Sequence, residues 1–236
     1  NVLVKSEIPK TDFPSLIYNP KHFINFKDKN NIYEPFKNRL NLITRKLEKM
    51  KLTNRIIGHT RSVRNLICDD ASLFLITASD DSTIKFWHLN SLSLMFTFKG
   101  HQDVIIDISI SGDRTLFASI SMDKTIRIWS LINGACLDVI TDASLVPFHS
   151  INFSSQGKLL AVTSEKGRVI VWDLEGFDLE KTCGHHPKHI KTINLQVPVR
   201  NSVFSPGGNL IAVTLEQGSL GVFTIYGDFL STINVC

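Results

Sequence analysis

The chain has 236 residues, of which 43% are hydrophobic and 20% are charged, and its formal net charge is +4. This composition supplies enough apolar side chains for the core of a globular protein, which excludes disorder throughout the chain. No apolar run reaches the roughly 18 residues that cross a bilayer, and no secretory signal begins the chain, so we predict an intracellular protein without a membrane segment.

A basic arm is the first element that the sequence predicts, at residues 1–51. Its apolar residues recur every three or four positions, which places them on one face of a helix. They are Phe36, Leu40, Ile43, Leu47 and Met50. Residues 1–57 carry twelve basic and five acidic side chains, whereas residues 58–236 carry fourteen and seventeen. We expect the apolar face to dock on the rest of the protein or on a further domain; helix exchange between two chains, nucleic-acid binding and membrane contact are the alternatives.

Two units of similar sequence follow the arm, 42 residues apart, each with Gly-His near its start and a tryptophan 28 residues after the histidine. Their ends, SDDSTIKFW and SMDKTIRIW, share serine, aspartate, threonine and tryptophan at the same offsets. A third unit ends at Trp172, and a fourth has Phe223 at the tryptophan position after a longer spacing. This self-similarity predicts a repeat protein.

Within each unit, apolar and polar side chains alternate in short runs bounded by turn residues, which is the pattern of β-strands. About 42 residues hold four short strands, the size of one β-propeller blade. Blades must stack, because one blade cannot bury both of its faces. We therefore predict an all-β propeller of about four blades at residues 52–236, preceded by the short helical arm.

Each of the first two units also contains polar side chains that we expect to hydrogen-bond in sequence: the Gly-His histidine, the serine eight residues before the tryptophan, the aspartate six before it, and the indole N–H. They are His59, Ser79, Asp81 and Trp87, and His101, Ser121, Asp123 and Trp129. Because this relay recurs at blade spacing and ends on tryptophan, we interpret it as structural and predict no catalytic triad and no enzymatic activity. Lys166 and Gln217 stand at the aspartate position of the third and fourth units, so we expect those blades to lack the relay and to open more easily.

One cysteine and three histidines lie together in Cys183–His189 and resemble a metal-binding cluster. Gly184-His185, however, stands where a fourth Gly-His pair belongs. The four cysteines of the chain form no Cys-x-x-Cys pair, which argues against a zinc ribbon or a disulfide framework. We predict no metal site and no cofactor.

With these motifs, residues 52–236 resemble the WD-repeat family. That resemblance implies a rigid propeller that serves as a non-catalytic scaffold for protein–protein interaction. RIIGH at 55–59, DISIS at 107–111 and FSPGGNLIAV at 204–213 are more narrowly similar to the N-terminal propeller of bromodomain and WD-repeat proteins. This likeness implies a nuclear, chromatin-associated segment of a larger protein.

Two alternative functions remain at this point. Some members of that narrower group are substrate receptors of ubiquitin ligases, but ligase-adaptor propellers often carry Trp-Asp-x-Arg, and none of the three tryptophans begins that pattern. The basic arm at residues 1–51 also fits an RNA-processing or ribonucleoprotein assembly factor that binds nucleic acid.

The resemblance also implies where partners bind. In WD-repeat proteins, the residue before the relay aspartate and the residue five after the Gly-His histidine face the opening of the central channel. The residues at these positions are Arg64, Asp80, Ile106, Met122, His149 and Glu165. We expect protein or peptide partners there, with the carboxylates of Asp80 and Glu165 receiving a basic, histone-like tail.

Four blades rarely close a ring, so we expect open flanks with exposed strand edges and apolar faces. This predicts either a partial propeller or two half-rings that pair as a homodimer. We expect residues 229–235 to supply the last strand of the fourth blade, and residues 52–57 to supply an outer strand to another blade.

Overall fold

The structure is a computed structural model that describes residues 55–69, 73–141, 147–175, 187–195, 197–215 and 218–234. The chain divides into two compact units, Asn1–Arg55 and Ile56–Cys236. The predicted helical arm lies outside the described residues. No helix in the described part of the chain is long and apolar enough to cross a membrane.

Within these described residues, sixteen strands form four antiparallel sheets of four strands each, and the strands of every sheet are neighbours in chain order. The predicted all-β fold of four blades is confirmed. Blade one holds β1 (Val63–Cys68), β2 (Phe74–Ser79), β3 (Thr83–His88) and β4 (Ser93–Lys99). Blade two holds β5 (Ile105–Ile110), β6 (Leu116–Ser121), β7 (Thr125–Ser130) and β8 (Cys136–Thr141). Blade three holds β9 (Phe148–Phe153), β10 (Leu159–Ser164), β11 (Arg168–Asp173) and β12 (Lys188–Asn194). Blade four holds β13 (Val199–Phe204), β14 (Leu210–Leu215), β15 (Ser219–Thr224) and β16 (Phe229–Asn234).

The residue just before the third strand has the same backbone conformation in all four blades. The residue before the third strand has a left-handed backbone, with φ between 64° and 74°. These residues are Ser82, Lys124, Gly167 and Gly218. At Gly167 a Cβ atom would also lie 2.5 Å or less from the carbonyl oxygens of Leu195 and Val197, so only glycine fits there.

The hydrophobic core lies between successive blades, in three buried clusters. Alternate residues of each strand point to one neighbour or the other, because side chains alternate across a sheet. Between blades one and two, Phe98 packs edge-on against Phe117 and Trp129, with ring centroids 4.7 and 5.6 Å apart. Stacking the blades therefore buries the apolar faces that a single blade would leave in water.

Side chains join the first strands of successive blades, which lie next to one another. Asp107 accepts a hydrogen bond from the Asn65 side chain in blade one and, at 2.9 Å, from the Ile151 backbone N–H in blade three. Asn152 donates to the Ser202 carbonyl in blade four at 2.5 Å. These bonds join the first strands of the four blades side by side, so the starts of those strands lie at the same end of the blades.

The two expectations about the ends of the repeat region have different outcomes. β16 is the fourth strand of blade four, as the sequence predicted. Residues 55–57 belong to no strand, and the Ile57 side chain is exposed, so the predicted outer strand is wrong at these positions. Residues 52–54 lie outside the described part of the chain.

Candidate functional site

The polar relay of blade one is buried between the loop before β1 and strands β2 and β3. His59 Nδ1 lies 2.9 Å from Asp81 Oδ2, and its Nε2 lies 2.8 Å from Thr77 Oγ1. Trp87 donates its indole N–H to the same oxygen at 2.8 Å. The indole only donates and an ionised carboxylate only accepts. A neutral His59 therefore donates from Nδ1 to Asp81 and accepts the Thr77 hydroxyl proton at Nε2.

Blade two repeats this arrangement with serine in place of threonine. His101 lies 2.8 Å from Asp123 and 2.7 Å from Ser119, and Trp129 donates to Ser119 at 2.8 Å. Burial lowers the pKa of His101, against the opposing effect of Asp123. Burial therefore favours the neutral histidine, which can donate to Asp123 from Nδ1 and accept the Ser119 hydroxyl proton at Nε2.

The sequence-based choice of the bridging hydroxyl is wrong, because that hydroxyl lies ten residues before the tryptophan rather than eight. Ser79 instead accepts the Asp81 backbone N–H at 3.1 Å and donates to the Arg61 carbonyl at 3.3 Å. Ser121 makes the same two kinds of bond in blade two, at 3.1 and 3.0 Å. Both serines hydrogen-bond to the loop that carries the Gly-His pair, and neither bridges the histidine and the indole.

The relay aspartates are held in the charged form by several donors. Burial alone raises the pKa of Asp81, but hydrogen bonds from the Thr83 hydroxyl, the Thr60 backbone and His59 outweigh it and hold that pKa well below its ordinary range. The pKa of Asp123 is lowered in the same way. Each carboxylate therefore links the Gly-His loop to the turn before the third strand.

These hydrogen bonds have a structural role, because they hold the Gly-His loop against β2 and β3. The hydroxyls of Ser79, Ser119 and Ser121 are fully buried and hydrogen-bonded, so a substrate cannot reach them. A nucleophilic serine would need access to a substrate and an adjacent oxyanion site.

Blades three and four replace the bridging hydroxyl with an apolar side chain. Val162 and Val213 stand ten residues before Trp172 and Phe223, and both valines are fully buried. In blade three the Trp172 ring packs edge-on against His189, with centroids 6.4 Å apart. Apolar packing thus takes the place of the relay in these blades; Gln217, named from the sequence, lies outside the described residues.

The six residues expected to face partners lie at one end of blades one to three. We call Arg64, Asp80, Ile106, Met122, His149 and Glu165 the mouth surface. Three of them, Asp80, Met122 and Glu165, follow the second strand of their blade. Each donates its backbone N–H to a carbonyl just before the first strand, at 2.9, 2.9 and 3.2 Å.

An ion pair occupies the part of the mouth surface that blade one contributes. Arg64 donates from Nε to Asp80 Oδ1 at 2.6 Å, with a second contact from its terminal nitrogen to Oδ2 at 3.5 Å. The Arg64 side chain is 56% exposed, whereas that of Asp80 is 20% exposed. The sequence did not reveal that Asp80, expected to be open to a basic ligand, is already paired.

In the described ranges, no group of three histidine, cysteine, aspartate or glutamate side chains is placed to hold a metal ion. Residues 183–186 of the candidate cluster lie outside those ranges. His189, the last residue of the cluster, bonds through Nε2 to Thr192 at 2.9 Å. Cys68 and Cys136 are free thiols.

Comparison with known families gives a match to the WD domain, G-beta repeat, at residues 50–88, 92–130 and 135–173. Those three stretches end with β3, β7 and β11, which carry the tryptophans. The fourth blade of the structure, Val199–Asn234, lies beyond them.

Several curated proteins are similar to parts of the chain. The COMPASS component SWD3 of Saccharomyces cerevisiae is 32% identical over 58% of this chain and 46% of its own length. The SIR4-interacting protein SIF2 of the same yeast is 35% identical over 52% of this chain and 23% of its own length. Subunit I of eukaryotic translation initiation factor 3 of Debaryomyces hansenii is 27% identical over 77% of this chain and 53% of its own length. The chain spans about half or less of the length of these relatives.

Proposed function

Because the chain belongs to the WD-repeat family of β-propeller proteins, we propose that it is a non-catalytic scaffold that holds protein or peptide partners on its mouth surface. The relay fixes the loops of blades one and two, so the surface they carry is rigid before a partner arrives. A preformed surface loses little conformational freedom on binding.

The mouth surface exposes both apolar and charged side chains, and this observation carries the proposal. Met122 is 48% exposed and offers an apolar contact, and the exposed Glu165 and the Arg64–Asp80 pair offer charged ones. An apolar contact with charged groups beside it is the combination that peptide recognition uses. The enzymatic alternative has no comparable set of accessible groups in the described ranges.

A basic, histone-like peptide is the partner proposed for this surface. Its lysine or arginine side chains would form charge-assisted hydrogen bonds with the carboxylates of Asp80 and Glu165. Because Arg64 is already paired with Asp80, the ligand must displace Arg64 to reach that carboxylate. Glu165 is exposed to solvent.

The proposed setting is the nucleus, within a larger bromodomain and WD-repeat-like protein associated with chromatin. The narrower sequence resemblance favours this setting. The names of two relatives, a COMPASS component and a SIR4-interacting protein, are consistent with a role in protein assemblies.

Titration of a fluorescein-labelled peptide of alternating lysine and alanine, followed by anisotropy, tests the proposal. Asp80→Asn and Glu165→Gln should each weaken binding by about five- to tenfold, the loss of one charge-assisted bond. Glu175→Gln is the matched control, because Glu175 is an exposed carboxylate paired with Lys158 at 2.7 Å after β11, away from the mouth surface. Equal losses in all three variants, or none in the first two, would refute binding at this surface.

A second candidate function is nucleic-acid binding by residues 1–51 in a ribonucleoprotein assembly. The excess of seven positive charges in residues 1–57 favours it, and one relative is a subunit of a translation initiation factor. Binding of a single-stranded RNA oligonucleotide should then fall steeply with salt and be lost on deletion of residues 1–51.

The role of ubiquitin-ligase substrate receptor is a third candidate. In the Trp-Asp-x-Arg motif of ligase adaptors, Trp172 and Asp173 match the first two positions, but Glu175 stands at the arginine position.

A further inference from the structure

Three residues of the mouth surface are the extra residues of β-bulges. Where β1 pairs with β2, the register shifts between Val63 and Asn65, so Arg64 has no opposite residue on β2. The pairings of β5 with β6 and of β9 with β10 shift in the same way, which leaves Ile106 and His149 as the extra residues. A bulge bends its strand and re-aims the side chain that it carries. The bulges therefore set the directions of these three side chains.

A single carboxylate is bonded beside all three bulges. Asp107, the residue after the bulge of blade two, accepts a hydrogen bond from the Asn65 side chain on β1. It also accepts the Ile151 backbone N–H on β9 at 2.9 Å. Asn65 directly follows Arg64, and Ile151 lies two residues after His149. The carboxylate thus joins the three strand segments that carry the bulges.

Blade two is the one blade with a charged side chain at this register position. The equivalent residues of the other blades are neutral: Asn65, Ser150 and Asn201. Burial raises the pKa of Asp107, and hydrogen bonds from the Ile151 and Ile108 backbones and from the Asn65 side chain oppose that rise. Hydrogen bonds to a charged acceptor are stronger than those between neutral groups. Asp107 therefore holds its two neighbouring blades more firmly than a neutral amide would.

We propose that Asp107 is a positioning residue of the mouth surface, which fixes the bulges of blades one, two and three relative to one another before a peptide binds. This inference rests on the proposed function and adds the residue that preforms the surface. Side chains that are already in place lose little freedom on binding, so loosening them weakens binding. A change at Asn65 in blade one must then reach Ile151 in blade three, because both are bonded to the same carboxylate.

NMR-detected exchange of the Ile151 amide in the whole chain tests this link without a ligand. Asn65→Asp places a second carboxylate beside Asp107, and repulsion between like charges should displace Asp107 from Ile151. We expect the Ile151 amide to exchange at least about tenfold faster, although the change is in another blade. Adding Asp107→Asn should restore most of the protection, since the new amide can donate to the new carboxylate while its oxygen accepts the Ile151 N–H.

Anisotropy of the fluorescein-labelled lysine–alanine peptide tests the effect on the mouth surface. Asp107→Ala and Asn65→Asp should each weaken binding by about three- to tenfold, and the double variant Asn65→Asp with Asp107→Asn should recover it. Asp113→Ala is the matched control and should keep its affinity. Asp113 is a carboxylate at the other end of blade two that bonds to Ser111 at 2.6 Å and to the Thr115 backbone at 3.1 Å, within its own turn. Circular dichroism of each variant checks that it is folded.

The sign of the change in Asn65→Asp separates positioning from simple charge attraction. An added negative charge would strengthen the binding of a basic peptide, whereas loss of positioning weakens it. Tighter binding by Asn65→Asp, unchanged binding by Asp107→Ala, or damage that the double variant does not repair would overturn the role of Asp107. A wild-type chain that does not bind the peptide would refute the proposed function, and Ile151 exchange would still decide whether the blades are linked through Asp107.

Discussion

Trp87 donates its indole N–H to the hydroxyl of Thr77 at 2.8 Å, across the hairpin of β2 and β3. The same hydroxyl is hydrogen-bonded to His59 Nε2 at 2.8 Å. One small side chain thus satisfies an indole and an imidazole that would otherwise lack these partners inside the blade. The relay depends on this hydroxyl as much as on the aspartate.

Replacing Thr77 by valine should therefore destabilise the protein although the side-chain volume is nearly unchanged. Two polar groups, the Trp87 N–H and His59 Nε2, lose their partner, and each costs about 1–3 kcal/mol. We expect the free energy of unfolding, measured in urea, to fall by about 2–6 kcal/mol.

Two variants serve as controls for this change. Thr97→Val alters a threonine on β4 that bonds to the Lys85 ammonium at 3.1 Å, and should cost less than about 1 kcal/mol. Ser79→Ala should cost about 1 kcal/mol, because Ser79 bonds only to backbone groups. If Ser79→Ala proves more damaging than Thr77→Val, Thr77 is not the bridging residue.

Stability should fall in two stages as the solution is acidified. Burial lowers the pKa of His101, so the unfolded chain takes up a proton there first and stability is lost as the pH falls below about 6.5. The pKa values of Asp81 and Asp123 are also lowered, so their contribution is present above about pH 4 and lost as the pH falls further.

Urea unfolding between pH 3 and pH 7.5 measures both stages. Asp123→Asn should be less stable than wild type at neutral pH and show a smaller decline below pH 4, because the variant lacks one of the carboxylates that titrate there. A variant with the same acid slope as the wild type would rule out Asp123 as a source of that decline.

Blade three should exchange its backbone hydrogens faster than blade two. Both blades have a neighbour on each face, but Val162 replaces the bridging hydroxyl in blade three and Lys166 the aspartate. The buried Val162 offers apolar packing but no hydrogen bond at the bridging position, which favours local opening of this blade. Hydrogen–deuterium exchange with mass spectrometry compares β9–β11 with β5–β7 directly, and equal protection of the two sets would contradict the expected role of the relay.

Asp107→Ala should loosen the joint between blades two and three at one point. The carboxylate accepts the Ile151 backbone N–H at 2.9 Å, and alanine leaves that donor without its partner. We expect the Ile151 amide to exchange at least about tenfold faster in NMR-detected exchange, while the buried amide of Ile126 on β7 is unchanged. Unaltered exchange at Ile151 would mean that the side-chain bond does not hold the first strands together.

The spacing of Gly-His and tryptophan was enough to predict the blades, because one repeat can bury its faces only against the next. It even located blade four, where Phe223 takes the tryptophan position. The bridging hydroxyl could not be predicted from spacing alone, since it depends on strand register. Register places Leu75 opposite Trp87, so Thr77 is the diagonal neighbour of the indole, and Ser79 lies about 7 Å farther along β2.

The pairing of Arg64 with Asp80 could not be predicted from the sequence either, because it depends on the conformation of a long side chain at the start of β1. It leads to the last prediction, which concerns ligand binding. Arg64 competes with a basic peptide for Asp80, so Arg64→Ala should free the carboxylate and remove a positive charge. The labelled lysine–alanine peptide should then bind about three- to tenfold more tightly, the reverse of the effect expected for Asp80→Asn. The double variant, Arg64→Ala with Asp80→Asn, should lose this gain. Tighter binding that persists in the double variant would trace the effect to the removal of a positive charge alone, and Asp80 would not be a contact of the peptide.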